Sequence, residues 1–439
     1  MNRILRIELR RSAAIGTAVI LLLVGAAVLY GLPDRWAAGW MPLAMMQREY
    51  LILLWPAALA AGGWQARREH RSNVAELFAS TARPRAQRMI PTLAAMGIAV
   101  AGAYLAMAAA AVPYIIDTAN YLSPATFAVV AVGALSLVAA AWLGLAIGRL
   151  LPSPVTAPAL AVAGLGLLLV IPTAVLHREW LALIFSPMYA MGQYTDYQTV
   201  AGRVSSAQVI WLIALAVAAA VLLASGSWRS RVAALLPAVL GAGLAVLIIP
   251  HDENVANPVD PVAQELVCAS GTPRVCISRI HAGLLPQFVP AAREALARMA
   301  KLPGAPTAVH EDTTTYYPAT SPAPRPDTLL ISVRVDKGGS LAHPQQITTD
   351  LVTRAFRGSN DCDKGSEAVS RAAAFWLLGT EPRTEPGVTE DPDPNPEAVK
   401  LWQGLRQLPE QQALARVSAV YSATKACKET DGLLTRSAR

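Results

Sequence analysis

The chain has 439 residues, 54% hydrophobic and 15% charged, well below the roughly 25% charged residues of soluble domains, which excludes a purely water-soluble protein. Its net charge of +7 is unevenly placed: residues 1–250 hold 17 Arg, no Lys and 8 acidic side chains, whereas 251–439 hold 20 basic and 22 acidic ones. The basic excess belongs to the loops of a membrane half. No basic patch is interleaved with aromatic or glycine residues, so nucleic acid is not an expected partner.

Residues 1–12, MNRILRIELRRS, interleave Ile4, Leu5, Ile7 and Leu9 with Arg3, Arg6, Arg10 and Arg11. That is the pattern of an interfacial amphipathic helix lying on anionic membrane lipid, or of a positive flank for the first span. A span takes about 20 apolar residues, and seven such runs follow, near 13–32, 47–66, 89–113, 124–148, 157–176, 207–227 and 232–250. The second is the weakest. Pro56 interrupts it, and Arg48 and Glu49 sit at its outer end, where long side chains can snorkel to the interface. No Asp, Glu, Lys, Arg or His lies in the core of any run. Ion-coupled carriers, channels and intramembrane enzymes place such groups there. Any transport must therefore draw its energy from elsewhere, and an apolar or amphipathic cargo is expected.

Between the second and third runs lies Arg67 to Arg88, RREHRSNVAELFASTARPRAQR, with Arg at 67, 68, 71, 83, 85 and 88. Arg-rich segments beside apolar spans face the cytoplasm. Within this one, Ser72 or Asn73 can cap a short helix through Val74, Glu76, Leu77 and Phe78, which Pro84 ends. Thirteen Arg fall on this side of the spans and four on the other. That bias predicts a membrane protein with its amino terminus in the cytoplasm and its carboxy-terminal part outside. On the outer side, 178–206 carry Trp180, Phe185, Tyr189, Tyr194 and Tyr197, which reads as a re-entrant or surface-lying helix pair or as an ordinary loop.

From 251 to 439 the pattern is that of a soluble, mixed α/β extracytoplasmic domain. ELVCASGTPRVCISRI, 265–280, reads as a hairpin with Cys268 and Cys276 on facing strands. Pro290–Lys301 has helical spacing, Thr328–Val335 alternates like a strand, and helical patterns return over Pro344–Arg357, Ser366–Leu378 and Pro396–Cys427. All four cysteines (268, 276, 362, 427) lie here. An even set confined to one soluble part suggests disulfides in an oxidising compartment, with 268–276 and 362–427 preferred among three pairings. No phosphate-cradling GxxxxGK[ST] loop, paired zinc-protease histidines or nucleophile elbow is present, so the chain is not expected to be an enzyme or to hold a cofactor or metal.

The amphipathic amino terminus, the first two spans and the loop Arg68-Glu69 … Glu76-Leu77-Phe78-Ala79-Ser80-Thr81-Ala82-Arg83-Pro84-Arg85 resemble the ABC-2-type permeases of ATP-binding-cassette exporters. The resemblance covers roughly residues 1–230. It implies a six-helix transmembrane domain over 13–230 with a coupling helix at 73–81 that docks on a separate ATPase subunit. By that likeness Glu69, Asn73, Glu76, Leu77, Phe78, Thr81 and Arg83 would be the coupling residues, with Glu76, Leu77 and Phe78 as the docking face. ATP and Mg would be bound by an ABC ATPase dimer, and a second permease copy or a paralogue would complete the transporter. The seventh span, 231–250, and the domain at 251–439 depart from the family, which usually ends in the cytoplasm after six spans. The competing expectation is a membrane-anchored extracytoplasmic sensor or assembly factor, which would have no ATPase partner.

Overall fold

The computed structural model describes residues 7–9, 12–68, 85–175, 178–188, 195–316, 318–323, 325–357, 365–383 and 395–435. It divides into two compact units, one of 1–261 with 315–320 and 337–339, the other of 262–314, 321–336 and 340–439.

The first unit is helical. Its elements are α1 (Ala14–Gly31), α2 (Trp40–Glu49), α3 (Leu51–Ala66), α4 (Arg85–Ile115), α5 (Pro124–Leu150), α6 (Thr156–Ala174), α7 (Glu179–Phe185), α8 (Gly202–Ala224), α9 (Trp228–Ala233) and α10 (Leu236–Ile248). Among the described residues, six helices are long and apolar enough to cross a membrane: α1, α4, α5, α6, α8, and α9 with α10 as one stretch, Trp228–Ile248. They are the first and the third to seventh apolar runs of the sequence. The second run differs. Its helix α3 has 16 residues, and the chain breaks at Tyr50 from a separate ten-residue helix, α2. Residues 178–206 hold α7 and the first turn of α8.

α5 starts cleanly because Ser123 caps the Ala125 N–H and Pro124 occupies the first turn, where its missing N–H costs nothing. The bundle is tightest between α3 and α5. A Cβ on Gly62 would fall on the Ala141 carbonyl and 2.8 Å from the Leu145 nitrogen, and one on Gly148 would lie 2.6 Å from the Gly63 carbonyl oxygen. The two backbones touch. Small residues at such crossings let membrane helices gain dispersion contacts that lipid tails cannot replace.

The second unit carries a four-stranded sheet in the order β1 (Leu266–Cys268), β2 (Arg274–Ser278), β3 (Ala308–Glu311) and β6 (Thr328–Ile331). The two-stranded ribbon of β4 (Thr315–Tyr316) and β5 (Ala319–Thr320), by contrast, belongs to the first unit. β2, β3 and β6 are parallel, and β1 pairs antiparallel with β2. Parallel neighbours need a crossover, and α11 (Leu285–Met299) supplies it between β2 and β3. α12 (Ile347–Ala355), α13 (Glu367–Leu378), α14 (Asn395–Arg406) and α15 (Glu410–Lys425) complete the unit. Its core joins Val275, Ile277 and Val309 of the sheet to Phe288, Phe356, Phe375 and Val417 of the helices.

The hairpin expected at 265–280 is present. Cys268 faces Cys276 across it, and the two form a disulfide. Gly271 takes a φ of +89° in its turn, a conformation that glycine reaches without a Cβ clash. Cys427 is also disulfide-bonded, and Cys362 lies outside the described residues. Two expectations are corrected. The strand at 328–335 stops at Ile331, with Val335 making an isolated bridge to Leu341. The single helical pattern over 396–427 is two helices, because Pro409 has extended backbone at the start of α15.

Candidate functional site

The residues singled out for ATPase coupling, Glu69, Asn73, Glu76, Leu77, Phe78, Thr81 and Arg83, lie outside the described residues. Their stems are described. Gln65, in the last turn of α3, accepts from the Ala13 N–H at 2.9 Å, and Arg68 lies 3.8 Å from Glu8. The hydroxyl of Thr92, in the second turn of α4, donates to the same Glu8 carboxylate at 3.3 Å. The amino-terminal segment thus ties the end of α3 to the start of α4, and the 69–84 segment leaves from that pinned junction. The exposed ion pair contributes little by itself, ~0–1 kcal/mol. The Gln65 bond fixes the start of α1 against the end of α3.

A second site was not legible as such. Arg48, on α2, is 1% exposed, which overturns the expectation that it snorkels to an interface. Its Nε and Nη2 both donate to the Pro187 carbonyl, at 2.9 and 2.6 Å, and its Nη1 reaches the Val129 carbonyl at 3.5 Å. Val129 is the sixth residue of α5, roughly 8 Å along the helix from its first residue. Among the described residues no carboxylate lies within ion-pair distance of Arg48. The ionisable side chain that interacts with it electrostatically is the Tyr104 phenol of α4. The preceding residue, Gln47, is fully buried and donates its amide to the Tyr104 carbonyl at 2.6 Å.

Taking a charged side chain out of water costs several kcal/mol. Hydrogen bonds to a charged donor return about 1.5–3 kcal/mol each. Two good bonds to one carbonyl therefore make the burial sustainable without an anion. They leave the charge itself uncompensated. On the same and neighbouring helices, Gln47 Oε1, Tyr104 OH and Thr126 Oγ1 are buried and have no hydrogen-bond partner among the described residues. The signal that could have found the site is the Gln47-Arg48-Glu49 triplet in the run Trp40 to Ala66, where Gln65 is the other strongly polar side chain.

In the second unit, His281 and Glu311 are buried, with Nδ1 and Oε1 2.6 Å apart. The other carboxylate oxygen accepts from the Ser278 N–H at 2.7 Å. This joins β3 to the segment after β2 through a buried hydrogen-bonded network. His310, on the opposite face of β3, has its imidazole pKa lowered, by burial first and then by Arg325 and Arg274, with Asp327 opposing. Among the described residues no group of His, Cys, Asp or Glu could hold a metal ion.

No family profile, curated protein or solved structure matches the chain. The functional reading therefore rests on the chain's own geometry and on the loop motif.

Proposed function

We propose that the chain is the permease subunit of an ATP-binding-cassette exporter, moving an apolar or amphipathic cargo with energy from a separate ATPase dimer. The observation that carries the reading is the 69–84 segment, which bears the Glu76-Leu77-Phe78 … Pro84 motif and springs from a junction pinned by Glu8 and Gln65. A push delivered at that segment would reach α3 and α4, whose adjoining ends are tied together through the amino-terminal segment. The backbone contact of α3 with α5 would carry it further as rigid-body motion, the usual form of such transitions. An apolar groove of about 340 Å³ between α1, α3 and α6, lined by Ile20, Leu21, Ala57, Ala61, Trp64 and Ala161, supports an apolar or amphipathic cargo.

In this reading seven spans cross the bacterial plasma membrane, α2 and α3 forming the second. The amino terminus and 69–84 face the cytoplasm, and the disulfide-bearing unit faces outside. A second copy of the chain or a paralogue completes the transporter. The test is co-purification of the tagged chain with the companion ATPase from the native host. Glu76→Arg and Phe78→Asp should abolish recovery of the ATPase while leaving the membrane yield of the chain unchanged. Undiminished recovery with both variants would remove the docking face.

A further inference from the structure

The Arg48 cluster is more than a buried cation made tolerable. A guanidinium has five N–H donors. Two atoms of Arg48 share the single Pro187 carbonyl, and the third contact, 3.5 Å to Val129, is at the outer limit of a hydrogen bond. At least two of its N–H groups are therefore left without an acceptor of good geometry among the described residues. The Tyr104 hydroxyl, on a residue 1% exposed and electrostatically coupled to Arg48, and the Gln47 side-chain oxygen, on a residue 0% exposed, are also without partners among the described residues. Orphaned buried polar atoms each cost about 1–3 kcal/mol. Together with a buried guanidinium that has no carboxylate partner among the described residues, they point to a site kept for something that is not a protein side chain.

We propose that Arg48, with Tyr104 and Gln47, binds the anionic headgroup of an amphipathic ligand, which displaces the Pro187 carbonyl. The exchange is favourable in kind, because a charged acceptor makes hydrogen bonds roughly twice as strong as a neutral carbonyl does. Arg48 supplies the charge and the spare donors, and the Tyr104 hydroxyl a further donor. Gln47 Oε1 is an acceptor and suits a hydroxyl adjacent to the anion. The headgroup oxygen can belong to a carboxylate or to a phosphodiester, since both present the same acceptor to guanidinium. Pro187 lies one residue beyond Ser186, the C-cap of α7, so a shift of 186–188 would open the site. In calling this ligand a cargo the proposal rests on the exporter reading; the binding itself does not.

The test is thermal unfolding of the purified full-length chain in a neutral detergent, titrated separately with oleate, phosphatidylglycerol and phosphatidylcholine. Wild type should be stabilised by at least one of the two anionic amphiphiles and not by phosphatidylcholine. Oleate alone would assign a carboxylate, phosphatidylglycerol alone a phosphodiester, and both a general anion site. Arg48→Gln should weaken the response at least tenfold in ligand concentration. Arg48→Lys should weaken it less, because it keeps the charge but loses the fork. Tyr104→Phe should weaken it several-fold while leaving the unliganded melting temperature near wild type. If Arg48→Gln does not fold, the other two variants decide. Equal titrations in Arg48→Lys, Tyr104→Phe and wild type, or no preference for anionic amphiphiles, would overturn the site. Loss of anion binding with the ATPase still recovered sinks this inference alone; lost recovery with anion binding retained sinks the exporter reading alone.

Discussion

The contact of α3 with α5 makes a quantitative demand on three glycines. A Cβ at Gly148 would meet the Gly63 carbonyl oxygen at 2.6 Å and its Cα at 2.7 Å, whereas ordinary contact begins near 3.4 Å. Both obstacles are backbone, which cannot rotate away, so Gly148→Ala must push the helices apart by about 0.8 Å. A gap of that size forfeits a quarter to a half of the dispersion well of each atom pair across it, and overpacking of this kind costs about 1–3 kcal/mol. Gly62→Ala and Gly144→Ala face the same obstruction, from Leu145 N at 2.8 Å and from Gly63 N at 3.1 Å respectively. Gly102 and Gly166 are the controls, since nothing lies within 4 Å of a Cβ at either. Alanine there should be neutral or stabilising by about 0.5–1 kcal/mol, because it restricts the unfolded chain. Thermal unfolding of the five single variants in one detergent reads the difference, at about 2–4 °C per kcal/mol for a unit of this size. Melting temperatures for Gly62→Ala, Gly144→Ala and Gly148→Ala no lower than those of the two controls would refute the close packing.

Three further outcomes follow from the second unit. Cys268→Ser with Cys276→Ser opens a loop of sequence separation 8 and should cost about 2.5 kcal/mol in the chain-entropy account, read as a lower denaturant midpoint for that unit. The lowered pKa of His310 means that its neutral form is favoured in the folded state. The associated stability is fully present above the ordinary value of 6.5 and is lost as pH falls from there towards the folded-state pKa. The stability of wild type relative to His310→Gln should therefore decline between neutral and acidic pH; a difference independent of pH would exclude this account. Ser366 caps α13 by accepting from Val369 N at 3.4 Å, and Ser366→Ala should cost about 0.5–1 kcal/mol by the same assay.

What could be read from the sequence was whatever depends on local pattern. Long apolar runs announce helices that can cross a membrane, and six of the seven runs became such helices. The Cys268–Cys276 hairpin was legible because alternation, a Gly-Thr-Pro turn and two facing cysteines agree within sixteen residues. The break at Tyr50 was not, since neither Gly nor Pro marks it and the helix restarts at once. The break before α15 had its marker in Pro409, which the helical spacing on either side outweighed. Arg48 was misread for a physical reason. Hydropathy prices a side chain by type, whereas its burial depends on carbonyls of Pro187 and Val129, 139 and 81 residues away. The parallel order of β2, β3 and β6 is likewise a long-range fact with no local signature. The contacts of Gly62 and Gly148 emerge only once two helices are brought together.

The account depends on the 69–84 segment lying where a cytoplasmic ATPase can seat on it. The most direct measurement is the reactivity of Phe78→Cys towards a membrane-impermeant maleimide. The cysteine should stay unlabelled in intact cells, react once the cells are permeabilised, and be shielded when the ATPase is co-expressed. Labelling in intact cells would put the segment outside and contradict the exporter reading.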